Sequence, residues 1–480
     1  MGKRRALVIA PHPDDEINLA GQFINCLQKK GYEIFVLYTT NGDAVPKVGN
    51  ARLYEAIKAC SILGIAEEYI IILGYPNEWK AEKHLYNSDA DMERESKLGK
   101  KATNSIREHP EFCFQKAGIH TPFTREHFKR DFCNAILEIK PDLIICPEFD
   151  SHPDHRATSL FFDEIMGEIL SKQRDYTPTV LKKYIHEGVW NGPKDYYFRP
   201  AMATQTKGVR PYCGSVHDLD SPCFCWDDRI SYKSDDRSIT ELLKDNIVFH
   251  AAKAHKSTTA WYEMQRVLNA DIVYWLRPTN NFSLHAKFAV TSGNPRFLND
   301  FKLYDCDDVC KKEDPFSKPE LFCWRPNAED AEKTIRIEFS EEKEIKRIRI
   351  YEDCNIQNHI KRFQISIGQR VLFEGETVAD GSKTEIAFQE VTRTDHLSIK
   401  ILEWSGIPGI AEIEVLPEHA DEIPFQMEKY EAIQEQNSSR NSIFQKIEKF
   451  ILLTKFLFVF KAKYEIQKMI KNRWGDIQKL

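Results

Sequence analysis

The sequence predicts an α/β domain with a mostly parallel sheet covered by helices on both faces, followed by an all-β sandwich and a helical tail. Over the first 150 residues, short apolar runs alternate with amphipathic helical patterns, as in a parallel sheet covered on both faces. From about Phe316 short, alternating, β-branched segments replace this pattern, as in an antiparallel sandwich. After Ser439 the apolar spacing is helical again.

The α/β elements follow in order along the chain. Leu7–Ala10 is a buried first strand, and the helix after it is predicted to end at Gly31, because glycine is common just past a helix end. A polar stretch from about residue 79 to residue 120 predicts an insertion. The other predicted elements are a strand over Glu33–Thr39, a helix ending at Gly64, a strand over Tyr69–Leu73, a helix over Glu126–Ile139 and a strand over Asp142–Cys146.

The second region contains seven predicted strands: Thr334–Phe339, Ile345–Tyr351, Arg362–Ile367, Arg370–Phe373, Lys383–Phe388, His396–Leu402 and Ile410–Leu416. We therefore predict four parts of the chain. These are an α/β domain over 1–300, with the insertion at about 79–120, a β-sandwich over 316–417, a charged linker over 418–439 and a basic amphipathic helical tail over 440–480.

Composition excludes some classes of function. The net charge of −6 over 480 residues gives no reason to expect binding to nucleic acid. The twelve cysteines do not have zinc-finger spacing, which favours reduced thiols. The apolar run after the basic N-terminus is too short for a signal peptide, and no run is long enough to span a membrane. We expect a cytoplasmic protein.

Two polar motifs follow predicted strands that belong to the same sheet. His12-Pro13-Asp14-Asp15 comes after the first strand, and His152-Pro153-Asp154-His155 comes after the strand that ends at Cys146. In a parallel sheet both motifs face the crevice beyond the carboxyl ends of the strands. Together they supply three ligands for a catalytic zinc ion, with a carboxylate and an imidazole to spare. Taken separately, each motif is also compatible with a helix cap or a surface turn.

These motifs resemble the LmbE/PIG-L family of zinc-dependent N-acetylglucosaminyl deacetylases, whose fold is Rossmann-like. The resemblance rests on the segment Ala10–Glu16 together with His152–His155. It extends to the segment Thr40–Asp43, to Arg52 and Glu55 in the next helix, and to Ala254-His255-Lys256-Ser257.

The resemblance implies a zinc site and a catalytic base. The zinc ligands would be His12, Asp15 and His155, and Asp14 would be the general base. In the mechanism that follows, Asp14 takes a proton from the attacking water while zinc polarises the acetyl carbonyl.

The resemblance also implies roles for residues around this centre. His152 would polarise the carbonyl or protonate the leaving amine, and Asp154 would orient the ring of His152. Arg52 would hold a sugar hydroxyl or a phosphate. His255 is a candidate substrate contact, but Thr258 stands where the family more often has glutamine. A capping or core role for His255 therefore remains open.

The sandwich resembles discoidin-like (coagulation factor 5/8 type C) carbohydrate-binding modules. The segment Glu412–Val415, which follows Gly406–Gly409, supports this match. The sandwich either binds sugar or has a purely structural or interface role, because β-sandwiches host many functions. The candidate sugar contacts are Trp324, His359, Arg362 and Trp404.

From Arg440 to the C-terminus there are ten Lys and Arg residues against three Asp and Glu residues. A basic amphipathic helix suits an anionic membrane surface, which would make the protein peripheral to a membrane. It equally suits packing on the protein's own core or on a second subunit of a homo-oligomer.

The expected function is a zinc-dependent hydrolase that removes the N-acetyl group from an N-acetylglucosamine-type amino sugar in a glycan, glycolipid or glycoconjugate. One alternative is an amidase that acts on a sugar-linked amide in the same site. Another is a non-catalytic carbohydrate-binding protein with a vestigial zinc site. Nucleotide binding is disfavoured, because no G-x-G-x-x-G motif follows the first strand.

Overall fold

The structure is a computed structural model. It describes residues 3–43, 48–148, 152–185, 204, 228–240, 245–258, 268–303, 316, 321–353, 357–378, 383–423 and 425–428. The chain divides into two compact units, Met1–Tyr430 and Glu431–Leu480. All elements below belong to the first unit. The predicted helical tail over 440–480 lies outside the described residues.

The first sheet has seven strands, and five of them are parallel. In the order β3-β2-β1-β4-β5-β7-β6, the pairs from β3 to β5 are parallel, while β7 and β6 are antiparallel additions at one edge. The prediction of a mostly parallel sheet is confirmed. The strands are β1 (Arg4–Ala10), β2 (Tyr32–Thr40), β3 (Ile70–Tyr75), β4 (Leu143–Pro147), β5 (Thr179–Lys183), β6 (Ile230–Lys233) and β7 (Asp271–Arg277).

Helices connect these strands and cover the sheet. They are α1 (Asp15–Lys29), α2 (Gly49–Ile62), α3 (Phe112–Ala117), α4 (Arg125–Ile139), α5 (Pro153–Lys172) and α6 (Ile247–Ala252). Leu7, Ile9 and Ile144 of the sheet share one apolar cluster with Phe132 of α4 and Phe161 of α5. Because side chains alternate along a strand, this cluster lies on one face of the sheet. The predicted insertion forms α3 and irregular turns after β3.

The second sheet is antiparallel and forms the predicted sandwich. Its order is β11-β10-β12-β9-β13, and β8 pairs with β9. The strands are β8 (Lys287–Val290), β9 (Thr334–Glu352), β10 (Ile360–Ile367), β11 (Arg370–Gly375), β12 (Thr384–Trp404) and β13 (Ile410–Leu416).

Four of the seven predicted strands are merged into two long ones. β9 and β12 each span two predicted strands and the turn expected between them. The pairing of β12 with β9 shifts register between Ala387 and Thr392 and again between Thr394 and His396. The polar residues that suggested turns therefore lie at irregularities within continuous strands, where bulges let a strand bend without ending.

Other expectations concern the membrane and the cysteines. No helix of the described part of the chain is long and apolar enough to cross a membrane. Among the cysteines of the described ranges, Cys26, Cys60, Cys113, Cys133 and Cys146 are free thiols.

The strand order explains how the two motifs meet. β1 and β4 are parallel neighbours, with Ala6 paired to Leu143 and Val8 to Ile145. The motif at residues 12–15 follows the carboxyl end of β1, and the motif at residues 152–155 follows that of β4. Parallel neighbours end at the same edge of a sheet, so residues about 140 positions apart become adjacent at one crevice.

Candidate metal centre

Three side-chain atoms from the two motifs converge at this crevice. His12 Nδ1 lies 3.0 Å from Asp15 Oδ2 and 3.0 Å from His155 Nε2. His155 Nε2 lies 3.1 Å from Asp15 Oδ2. All three side chains are buried. The atoms therefore mark the corners of a nearly equilateral triangle inside the protein.

This donor set suits a metal ion. Two imidazole nitrogens and a carboxylate oxygen that point at one place bring lone pairs together, and a bound cation relieves that repulsion. Ligand atoms around a tetrahedral zinc ion with bonds of about 2.0–2.1 Å stand about 3.4 Å apart, close to the observed separations. Nitrogens of His12, His152 and His155 also lie within 4.8 Å of one another. The tighter group contains Asp15 in place of His152.

The two carboxylates nearest the imidazoles favour their ionised form. Burial alone would raise the pKa of Asp15, but His155 and His12 outweigh it and hold the pKa well below its usual value. The pKa of Asp154 is lowered in the same way, against burial, by hydrogen bonds from His12 and His84. Burial lowers the pKa of His12, and Asp15 with Asp154 reverses that shift, so the net direction is upward.

Asp154 lies behind His12. His12 Nε2 donates to Asp154 Oδ2 at 2.8 Å, and His84 Nε2 donates to Asp154 Oδ1 at 3.0 Å. The carboxylate also accepts from the side chain of Asn77 and from the backbone N–H of Glu78. Such a carboxylate fixes the tautomer of a ligand histidine and strengthens it as a donor.

His152 contacts Asp154 through a different group from the one expected. Its Nδ1 lies 3.9 Å from Asp154 Oδ2, which is beyond hydrogen-bond distance. Instead, Nδ1 accepts the backbone N–H of Asp154 at 3.2 Å and so caps α5. An accepting Nδ1 carries no hydrogen, which places the ring proton on Nε2. The ring centroid lies 4.6 Å from that of His12, and the side chain is 20% exposed.

Asp14 stands at the entrance of the site in an unusual backbone conformation. Its φ is 137°, in a region that favours glycine. Its side chain does not cap α1, so the helix-cap alternative does not explain this residue. The carboxylate pairs with Arg52 Nη2 at 2.9 Å and is 16% exposed. Burial raises the pKa of Asp14, and Arg52 offsets only part of that shift.

Arg52 joins two loop segments, the one at Pro13 and Asp14 and the one at Gly42. It donates to Pro13 O at 2.9 Å, to Asp14 Oδ1 at 2.9 Å and to Gly42 O at 3.1 Å. A Cβ at Gly42 would lie 2.6 Å from Arg52 Nη1, so only glycine permits this close approach. The predicted contact of Arg52 with a sugar hydroxyl or phosphate stays a prediction.

His255 is fully buried and contacts Glu16. Its Nε2 lies 2.6 Å from Glu16 Oε1, while Glu16 Oε2 accepts the backbone N–H of Asp14 at 3.0 Å. Burial lowers the pKa of His255, and Glu16 more than reverses the shift. Ser257 donates to Glu55 of α2 from both its backbone and its hydroxyl. His255 thus supports the Asp14 loop, in line with the core role left open above.

Asn77 and His84 were not anticipated from the sequence. Both contact Asp154, and Asn77 Nδ2 also lies 2.7 Å from His12 Nε2. The available signal was position, since Pro76-Asn77-Glu78 follows β3, a parallel strand that ends at the same crevice. A cavity of about 320 Å³ adjoins them, and its lining includes Glu78, Arg94 and Lys97.

The four candidate sugar contacts of the sandwich differ in exposure. Trp324 is fully buried and donates to Ser292 O, so its assignment as a sugar contact was wrong. A residue of the core packs against its neighbours and is not available to a ligand. The other three retain some exposure: Trp404 is 37% exposed, Arg362 pairs with Glu403, and His359 contacts Glu352.

Fold and site together define an α/β protein with a candidate metal centre at the carboxyl ends of parallel strands. Residues 7–166 match the sequence model of the family described as PIG-L: GlcNAc-PI de-N-acetylase. This part of the chain is a PIG-L (LmbE) family domain. At the level of the family, the match supports a deacetylase that acts on an N-acetylglucosamine-type substrate.

Several solved structures are similar to parts of the chain. N,N'-diacetylchitobiose deacetylase from Pyrococcus horikoshii, complexed with its inhibitor MPG, is 16% identical, covers 58% of this chain and 85% of its own, and has a TM-score of 0.32. The family 32 CBM from C. perfringens NanJ, in complex with galactose, is 13% identical, covers 27% of this chain and 92% of its own, and has a TM-score of 0.21. A search of curated proteins found no match. At these TM-scores the structural matches do not bear on function.

Proposed function

We propose that this protein is a zinc-dependent hydrolase that removes the N-acetyl group from an N-acetylglucosamine-type amino sugar. The observation that carries the proposal is the triangle of donor atoms from His12, Asp15 and His155, within a PIG-L family domain. These three residues would hold the ion. Bound zinc would supply Lewis acidity, which activates water and polarises the amide carbonyl.

Asp14 is the proposed general base. Its carboxylate stands beside the ligand Asp15 but is paired with Arg52 and partly exposed, so it can reach a water molecule at the entrance. Burial shifts its pKa upward, toward the operating range of a base at neutral pH. Glu16 and Arg52 hold the loop in the conformation that presents this carboxylate.

His152 is the proposed donor to the substrate. With its Nδ1 engaged by the backbone of Asp154, its Nε2–H is the hydrogen that can be donated to the carbonyl oxygen. The leaving amine must also receive a proton before the C–N bond breaks, because an amide anion is too basic to leave. This proton comes either from His152 or from Asp14, which has taken it from the attacking water. Asp154 orients His12 in this proposal, in place of His152.

The test measures acetate release and zinc content together. The wild-type protein should release acetate from N-acetylglucosamine conjugates and lose this activity to a chelator. Asp14→Asn should keep its zinc and lose about 10²–10⁴-fold in turnover, because only the base is removed. His155→Ala should lose the zinc itself. Sugar-linked amides other than acetyl are assayed in parallel, and a preference for them would favour an amidase instead. A zinc-loaded wild-type protein that hydrolyses neither kind of amide would contradict the proposal.

Arg52→Lys tests whether Arg52 positions the base. Lysine keeps the positive charge but lacks the planar fork that reaches three acceptors. We expect kcat/KM to fall at least about tenfold, in line with the loss of a charge-assisted hydrogen bond, with unchanged zinc content. If Arg52 instead contacts substrate alone, KM should rise with little change in kcat. Steady-state kinetics on one amino-sugar substrate separates these outcomes.

A further inference from the structure

Trp79 is a large apolar side chain that the metal centre does not use. It is 57% exposed, although a tryptophan usually buries most of its surface. It lies in the segment that follows β3, at the same edge of the sheet as the two motifs. Its ring centroid is 6.1 Å from that of His152, and the two rings meet at 75°.

The indole is held in place by the site itself. Trp79 Nε1 donates to Asn77 Oδ1 at 2.7 Å, and the amide nitrogen of Asn77 lies 2.7 Å from His12 Nε2. The position of the indole is therefore linked through one side chain to a proposed metal ligand. Lys97 Nζ lies 5.4 Å from the centre of the same ring, and Lys97 also lines the cavity next to the site.

An exposed apolar residue on its own carries no functional meaning, because single apolar residues are common on protein surfaces. Here, the exposed ring adjoins His152, one of the partly exposed side chains at the entrance of the candidate centre. An indole offers a flat apolar face with a negative quadrupole and loses little conformational entropy on binding. The C–H groups on one face of a pyranose ring are a complementary surface for it.

We propose that Trp79 is a substrate-binding residue that stacks on the pyranose ring of the amino sugar whose acetamido group lies at the metal centre. This inference rests on the proposed function and deepens it. Trp79 makes the site selective for ring-form amino sugars over acyclic N-acetylated amines, since an acyclic chain presents no flat face to the indole.

Binding of N-acetylglucosamine is measured in the Asp14→Asn background, where turnover does not interfere. Adding Trp79→Ala should weaken binding about tenfold, the size expected from the loss of one aromatic contact. Trp79→Tyr in the same Asp14→Asn background should retain most of the affinity, because tyrosine keeps a flat aromatic face. Phe114→Ala is the matched control, because Phe114 is also an exposed aromatic residue whose ring lies beside that of a histidine, His120. It should leave this affinity unchanged if the sugar binds at the metal centre.

Turnover supplies the second measurement. With Asp14 intact, Trp79→Ala should lower kcat/KM for N-acetylglucosamine about tenfold and leave kcat/KM for N-acetylethanolamine unchanged. Equal losses on both substrates would indicate a structural role for Trp79. Zinc content and the unfolding midpoint of each variant are measured alongside, and Trp79→Leu, which also lacks a flat ring, replaces Trp79→Ala if the alanine variant does not fold.

The two proposals fail in different ways. If the wild-type protein hydrolyses N-acetylglucosamine but Trp79→Ala binds the sugar as tightly as its parent, the role of Trp79 is overturned and the hydrolase stands. If no amide is hydrolysed but the binding difference at Trp79 is found, the catalytic proposal falls and the sugar site stands. Absence of measurable sugar binding to Asp14→Asn overturns the inference about Trp79.

Discussion

Asp14 combines a strained backbone conformation with a partly exposed carboxylate. At φ 137° any L side chain is strained, at a cost of about 1–3 kcal/mol. The strain persists because Arg52 donates to the backbone oxygen of Pro13 and Glu16 accepts the backbone N–H of Asp14, which holds the loop in place. Strained residues concentrate at functional sites, and here the strain coincides with the proposed base.

Replacing Asp14 by glycine or by alanine separates strain from chemistry. Both variants lose the carboxylate, but only glycine relieves the positive φ. We expect the free energy of unfolding of Asp14→Gly to exceed that of Asp14→Ala by about 1–2 kcal/mol. Both should lose about 10²–10⁴-fold in turnover, as expected for Asp14→Asn. Urea unfolding in the presence of chelator measures the difference without a contribution from bound metal. Equal stabilities would mean that the loop relaxes and stores no strain.

The residue types in the two motifs were enough to predict a candidate metal centre. The contacts that side chains make between distant loops could not be predicted from the sequence. His12, Asp15 and His155 come together because parallel neighbouring strands end at one edge, and this follows from strand order. The partner of Asp154 depends on side-chain directions that only packing sets. The family resemblance implied that the Asp154 carboxylate orients His152, whereas in the structure this carboxylate contacts His12 and His84.

At the scale of elements, α5 carries His155 in its first turn and must be held against its neighbours. Gly167 lies inside this helix, where glycine is normally unfavourable by about 1 kcal/mol relative to alanine. A Cβ at Gly167 would lie 2.1 Å from the backbone oxygen of Asp300. The glycine therefore lets the chain at residue 300 lie directly against the helix.

Gly167→Ala should destabilise the protein by about 1–3 kcal/mol, because a backbone oxygen cannot move aside as a flexible side chain can. Gly21→Ala in α1 is the matched control. There the nearest atom is a side-chain methyl of Val248 at 2.9 Å, so a small rotation relieves the contact. That substitution should be neutral or slightly stabilising, through higher helix propensity. Denaturant unfolding of both variants makes the comparison, and similar effects on both would refute the packing argument.

Elements with a strong periodicity of apolar residues could be predicted from the sequence. The bounds of strands that depend on long-range pairing could not. The helix over Arg125–Ile139 and the strands β1 to β4 differ from their predicted bounds by only a few residues. Their apolar spacing is set by burial against the sheet. The predicted pattern has two strands in place of each of β9 and β12, because the polar residues at a bulge are of the same types as those at a turn.

At the scale of the whole molecule, buried charges join the two sheets. Arg277 of β7 forms an ion pair with Glu414 of β13, and both side chains are almost fully buried. Glu412, two residues earlier, accepts the backbone N–H of Phe301 at 3.1 Å. Tyr351 also donates to Glu414, at 3.2 Å. The α/β sheet and the sandwich thus share one charged interior within Met1–Tyr430, which favours a structural contribution of the sandwich to the α/β domain.

Two carboxyl groups of this interior, Glu412 and Asp300, have pKa values raised by burial. Burial raises the pKa of Glu412 well above its usual value, and Arg277 offsets only part of the shift. The pKa of the neighbouring Asp300 is raised to about 6, again by burial. The folded protein therefore favours the neutral form of Glu412 more strongly than the unfolded chain does. A group with a raised folded-state pKa adds stability below its unfolded-state pKa, and that stability is lost as the pH rises through the folded-state value.

Glu412→Gln should remove this pH dependence, because glutamine resembles the neutral acid at every pH. We expect the variant to be more stable than the wild-type protein at pH 8 by at least about 1 kcal/mol, with a smaller difference at pH 5. Glu414→Gln is the contrasting variant. It leaves Arg277 without its buried counter-charge and should cost about 3–5 kcal/mol at both pH values. Urea unfolding at each pH, with chelator present, compares them. A wild-type protein that gains stability from pH 5 to pH 8 relative to Glu412→Gln would show that Glu412 is ionised in the folded interior, and that Arg277 balances both glutamates.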